Sequence, residues 1–108
     1  MLDTTQVQLI DSLYNFGKVA EGEKVTYNFR FKNVGTKALV ITSTSASCGC
    51  TVPEKPDRPV LPGETGVIKV VFNSQGKAGH NEKNITVMAN TVPAFPMLIL
   101  TGDVVPAK

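Results

Sequence analysis

Between residues 25 and 32 the chain alternates without a break: Val25, Tyr27, Phe29 and Phe31 are apolar, while Thr26, Asn28, Arg30 and Lys32 are polar. Side chains on a strand point to opposite faces at each step, so this run makes a strand with one buried and one wet face. A helix would scatter the same rings around its circumference. Shorter runs repeat the theme. Ile68, Val70 and Phe72 form a second inward face, Ile85, Val87 and Ala89 a third, and Leu98, Leu100 and Val104 a fourth. Another strand runs from Leu39 and Ile41 through Ser/Thr-rich residues to Ala46. Its alternation weakens after Ile41, which predicts a bulge or a change of sheet there. Upstream, Leu13 to Phe16 reads as an edge strand and Val7 to Ile10 as one more.

The residues between these runs are turn formers. Asn33-Val34-Gly35-Thr36 reads as a hairpin turn, with Gly35 supplying a positive φ. Pro53, Pro56, Pro59 and Pro62 exclude a central strand or a helix between residues 53 and 62. Pro62-Gly63-Glu64 is turn chemistry leading into the next strand. The result is about seven short strands at spacings of roughly 8–12 residues, the pattern of an immunoglobulin-like sandwich. The expected fold is therefore all-β, an immunoglobulin-like β-sandwich of about seven antiparallel strands. A chain of 108 residues has room for one such domain, residues 1–108, with its core at about 13–104. Pro106-Ala107-Lys108 stands just past the last strand, so the domain is expected to be complete.

Charge excludes several functions. Eleven basic and nine acidic side chains leave a formal charge of +2 and no dense basic run, so no stripe tracks phosphates and nucleic acid is not an expected partner. With no Trp and seven other aromatics there is no stacking platform for single strands. No apolar run is long enough to span a bilayer. Met1-Leu2-Asp3-Thr4-Thr5-Gln6 lacks the basic start and apolar middle of a signal peptide. Membrane attachment would need an anchor outside these residues. Phosphate loops, dinucleotide-binding glycines and HExxH elements do not occur. Glu21, Glu23, Glu54, Asp57 and Glu64 fall at turns, with neither paired-carboxylate nor calcium-loop spacing. The expectation is a protein that is not an enzyme and carries no cofactor.

One element is chemically unusual: Cys48-Gly49-Cys50. On a strand, residues two apart face the same side, so both sulfurs would share one environment, and Gly49 lets the backbone bend between them. The pair has several readings. It suits a local disulfide acting in thiol exchange, a soft metal such as Cu(I), or an attached group or intermolecular bridge. The structural alternative is two small half-buried residues at a sheet crossing. Structural zinc wants four ligands, and only His80 could join the two thiolates. His80 is the sole histidine. It reads as a solvated loop residue, with nothing in the sequence to orient it as a general base. The possible thiol or metal site is thus Cys48, Cys50 and His80.

Several segments together resemble a known bacterial family. They are Phe16-Gly17-Lys18-Val19-Ala20-Glu21-Gly22-Glu23, Phe31-Lys32-Asn33-Val34-Gly35, Leu39-Val40-Ile41, Ser47-Cys48-Gly49-Cys50-Thr51, Pro62-Gly63-Glu64 and Ile85-Thr86-Val87-Met88-Ala89-Asn90. The chain is similar to domain of unknown function 1573 of Bacteroides-type bacteria, related to Hydin-type and major-sperm-protein-like immunoglobulin folds, over roughly residues 13–104. The Ser-Cys-Gly-Cys-Thr block is the specific part. The resemblance implies an exported location: periplasmic, outer-membrane-anchored or extracellular. It implies no established activity. Antibody-type domains bridge their sheets by a disulfide packed on Trp. Two cysteines two apart cannot form that bridge, so the core is expected to be held by apolar packing alone. The expected role is a non-catalytic exported or cell-envelope module that binds or spaces other proteins, through edge strands or end loops. The alternative is thiol-redox or copper handling through the Cys-Gly-Cys element.

Overall fold

The computed structural model describes residues 3–106. Met1, Leu2, Ala107 and Lys108, which the expected domain includes, lie outside the described residues. Eight strands follow one another: β1 (Val7–Leu9), β2 (Leu13–Ala20), β3 (Lys24–Asn33), β4 (Ile41–Ala46), β5 (Thr51–Glu54), β6 (Thr65–Asn73), β7 (Gly79–Ala89) and β8 (Leu98–Val105). They form two four-stranded sheets, ordered β1-β3-β6-β5 and β2-β8-β7-β4. The alternating faces meet as expected. Phe29, Phe31, Ile68, Val70, Phe72, Ile85, Leu98 and Leu100 are all buried between the sheets.

One strand adds to the expected set, and one expectation about strands needs correction. The eighth strand is β5, which lies where the prolines begin. It pairs only with β6, and Pro53 is opposite Val70. Proline is tolerated on such an edge because one side of the strand has no ladder bond to lose. The sandwich is also not wholly antiparallel, since β2 runs parallel to β8. The chain leaves β1 in one sheet and crosses to the other, where β2 lies alongside the final strand. The irregularity predicted after Ile41 is present, as a register shift between Ile41 and Ser43 against β7.

The Asn33 to Thr36 segment is not a hairpin either, because β3 and β4 belong to different sheets. Gly35 has no positive φ. It is bare because a Cβ there would strike Thr5 and Gln6. Asn33 is fully buried and organises the crossing. Its Nδ2 donates to the carbonyls of Lys37 (2.7 Å) and Val60 (2.9 Å), and its Oδ1 accepts from Thr5 Oγ1 (2.8 Å) and Gly35 N (3.0 Å). Two further polar residues do similar work. Buried Ser74 donates to Glu23 O at 2.6 Å and accepts from Gly22 N at 2.9 Å. Asn90 Nδ2 donates to the carbonyls of Asp3 and Ala38, and its Oδ1 accepts from Val40 N. Buried polar atoms paired in this way lock the loops onto the sheets. Apolar packing, expected from the sequence to hold the core alone, shares that work with these buried hydrogen bonds.

The crossing from β1 to β2 is fixed by an ion pair. Arg30 Nε donates to Asp11 Oδ2 at 2.8 Å and a second guanidinium N–H reaches Oδ1 at 3.2 Å. Hydrogen bonding from Arg30 outweighs burial and lowers the Asp11 carboxyl from 3.8 to about 2. A carboxyl lowered by folding stabilises the fold fully above its ordinary value, and that contribution is lost as pH falls through the folded one. Asp11→Asn should therefore melt lower than the parent at neutral pH, by roughly a few degrees for a pair whose Arg30 side chain is more than half exposed. Melting curves of the two proteins should converge as pH falls from about 4 to about 2.

Candidate functional site

The Cys-Gly-Cys element sits in a turn and not on a strand, which corrects the shared-face argument. The turn joins β4 in one sheet to β5 in the other, at a sheet crossing. Its flanking residues hold it in place. Ser47 N donates to Asn84 O at 3.0 Å, and Ser47 Oγ accepts from Asn84 N at 3.2 Å, pinning the turn to β7. Asn73 N donates to Cys50 O at 2.8 Å, pinning the other end to β6. Cys48 and Cys50 are bonded to each other as a disulfide, with their Cα atoms 5.4 Å apart.

Both cysteines are half-buried, whereas Thr51 is buried. The Thr51 hydroxyl lies 3.7 Å from Cys50 Sγ and 3.9 Å from Cys48 Sγ. A surface hollow of about 280 Å³ opens beside the bond, lined by Lys24, Gly49, Cys50, Val52, Val71, Asn73 and Gln75. A second hollow, of about 340 Å³, lies along the Pro-rich loop between Pro56 and Gly66. Arg58, Asp57 and Glu64 line it, and no cysteine or histidine does.

His80 does not join the sulfurs. It lies on β7, not in a loop, and its Nδ1 is 2.9 Å from Asp103 Oδ1 across the ladder to β8. Both side chains are more than half exposed. The cysteine turn is anchored at Asn84, four residues further along β7, which is roughly 13 Å at strand rise. The three-residue site is therefore not assembled. Among the described residues no three His, Cys, Asp or Glu side chains converge as a metal site. In the sequence Ser47 and Thr51 stand only as the flanks of the Ser-Cys-Gly-Cys-Thr block, with no role assigned to them. The one available signal was their place on either side of the cysteines.

A family model described as "Protein of unknown function (DUF1573)" matches residues 7–104. The chain belongs to the DUF1573 family. No curated protein matches it. Among solved structures, this DUF1573 chain is similar to a Porphyromonas gingivalis W83 protein of unknown function, with TM-score 0.81 and 14% identity. That match covers 93% of this chain and 47% of the other, so the DUF1573 chain spans about half its length. It is also similar to the ASH/PapD-like domain 7 of human CEP192, with TM-score 0.72 and 12% identity, covering 100% of this chain and 92% of that one. The Vibrio cholerae VesB protease matches at TM-score 0.69 and 16% identity over 92% of this chain and 31% of the protease. At identities this low the likeness shows the fold alone, an immunoglobulin-like sandwich.

Proposed function

We propose that this DUF1573 domain is a non-catalytic module of the cell envelope or cell exterior that binds and spaces other proteins. The observation that carries the reading is the state of its sheet edges. Proteins guard edge strands by shortness, proline, charge or bulges. Here β1 is three residues long, β5 contains Pro53, and β2 is broken between Asn15 and Lys18 around Gly17, which has φ +73°. By contrast, Thr42 to Ala46 of β4 carries neither charge nor proline. The Ser47 N to Asn84 O bond fixes the alternation of that ladder, and Thr44 then turns its N–H and C=O away from β7. An extended partner segment adding beside β4 would meet those groups.

The shape supports spacing. The body measures 54 × 21 × 21 Å. Thr5 bridges to Thr91 beyond one end of β7, and Val105 pairs with Ala20 beside the other. Attachments at these two points would be held about 35 Å apart, the length of an eleven-residue strand. The Cys48–Cys50 bond suits an oxidising compartment outside the cytosol. His80 and Asp103 pair on an open sheet face, away from the Cys48–Cys50 turn, which favours a binding role over catalysis. The fold is shared with a stretch of the VesB protease at low identity, and that likeness does not extend to a reaction.

Thr44→Pro tests the edge. It removes an N–H that β7 does not use, so the domain should fold while co-purification of its envelope partner is lost. Thr44→Val, which loses only the hydroxyl bond to Pro53 O, should retain the partner. Equal recovery of the partner with both variants would exclude β4 as the binding edge.

A further inference from the structure

Independently of the edge reading, we infer that the Cys48–Cys50 disulfide is a thiol-exchange site whose reactant is a thiol, free or carried on another protein. Four features point the same way. First, a bond between residues two apart closes so small a loop that chain-entropy arguments assign it only about a third of the stabilisation of a long-loop bridge. The turn is already pinned to β7 through Ser47 and to β6 through Cys50 O, so the fold gains little from a third fastening. Second, the cysteines are half-exposed beside an open hollow, and that hollow brings Lys24 to the same surface as Cys50. A nearby ammonium favours thiolate over thiol.

Third, Gly49 has no internal reason to be glycine. Its φ lies outside the left-handed region and a Cβ would meet nothing within 4 Å. The bare backbone leaves the approach to the bond open. Fourth, the buried Thr51 hydroxyl lies within 4 Å of both sulfurs and can donate to whichever of them leaves as a thiolate. Thr51 acts directly on the leaving sulfur in this scheme.

A partner thiolate entering the hollow attacks Cys50 Sγ, a partner–Cys50 bond forms, and the Cys48–Cys50 bond breaks. Cys48 takes the electron pair, steadied by Thr51, and then a proton. A second partner thiolate attacks the partner sulfur of the mixed disulfide and expels Cys50, which is protonated in turn. Two electrons and two protons have moved. The partner dithiol has become a disulfide and this protein a dithiol. A small disulfide such as oxidised glutathione regenerates the bond by the reverse steps.

The test follows cleavage of the bond in the folded protein by alkylation and intact mass, using reduced glutathione in one arm and a reduced dithiol peptide in the other. Both should open the bond. Gly49→Leu should fold as the parent does and slow the peptide about tenfold, with less effect on glutathione. Thr51→Val should slow both about fivefold. In a Cys48→Ser background, Thr51→Val and Lys24→Gln should each raise the thiol pKa of Cys50, read from thiolate absorbance. A purely structural threonine would leave that titration unmoved. Reaction with glutathione alone supports exchange and assigns a small thiol as the reactant. Reaction with the peptide assigns a protein. A bond that both thiols leave intact until the domain is unfolded overturns the inference, as do equal rates for the parent and Gly49→Leu with both probes.

Discussion

Asn33→Leu is expected to cost about 4 kcal/mol or more and to lower the melting temperature by roughly 20 °C, if the domain still folds. The side chain is fully buried and makes four hydrogen bonds, to Lys37, Val60, Thr5 and Gly35. Leucine has a similar volume, so the loss is of polar partners and not of packing. Each buried group left unpaired costs about 1–3 kcal/mol, and the carbonyl of Val60 and the hydroxyl of Thr5 lie in the interior. A domain of this size holds only about 5–15 kcal/mol in total. Asn33→Asp separates the two halves of the argument. Its acceptor oxygen is kept, but a carboxylate oxygen would replace the Nδ2 donor and face two carbonyls. It should be nearly as destabilised at neutral pH and should partly recover in acid, where a protonated carboxyl can donate again. Calorimetry of the three proteins across pH gives the comparison.

Phe72→Ala should cost about 3–5 kcal/mol. Phe72 stands opposite Val25 on one side and Thr51 on the other, so it sits on an inner strand of its sheet. Its ring reaches across the sandwich to Phe16 of β2, with centroids 5.8 Å apart, and Lys83 Nζ of β7 lies 5.9 Å from its centre. Removing the ring opens a cavity between the sheets that strands fixed by ladders on both sides cannot collapse to fill. Phe72→Leu keeps most of the volume and should cost about 1.5 kcal/mol or less. Denaturant melts decide this. A cost for Phe72→Ala near that of Phe72→Leu would mean that the two sheets are not held together at this point.

These two residues also show what could be read without coordinates. Phe72 was legible because alternation alone assigns it to the buried face, and the same holds for Phe29, Ile85 and Leu100. The position of Asn33 was visible but its role was not. Asn-x-Gly looks the same at the sequence level whether the chain turns back beside itself or crosses to another sheet. Only the sheet order shows that β3 and β4 are not neighbours. The strand β5 escaped because four residues containing a proline carry too little pattern, and its existence depends on the edge that β6 offers. The parallel pairing of β2 with β8 joins the two ends of the chain, and alternation carries no information on partner or direction.

The site was legible in part for similar reasons. Cys-Gly-Cys was conspicuous as chemistry, and its place at a sheet crossing was among the readings. Its bonding partner, its distance from His80 and the role of Thr51 all depend on which strands the turn connects. Ser47 and Thr51 flank the cysteines as ordinary small polar residues. Their meaning comes from Asn84 on one sheet and from the two sulfurs on the other side.

The claim that this domain works by binding, through its unguarded edge, is tested most directly by position-dependent photo-cross-linking in the native envelope. A photoreactive residue at Ser43 or Ser45 of β4 is compared with one at Asn15 or Lys18 of β2. One discrete adduct is expected from the β4 positions and none from β2, with loss of that adduct when Thr44→Pro is added. Adducts of equal yield from both edges, or a β4 adduct that survives Thr44→Pro, would contradict the claim.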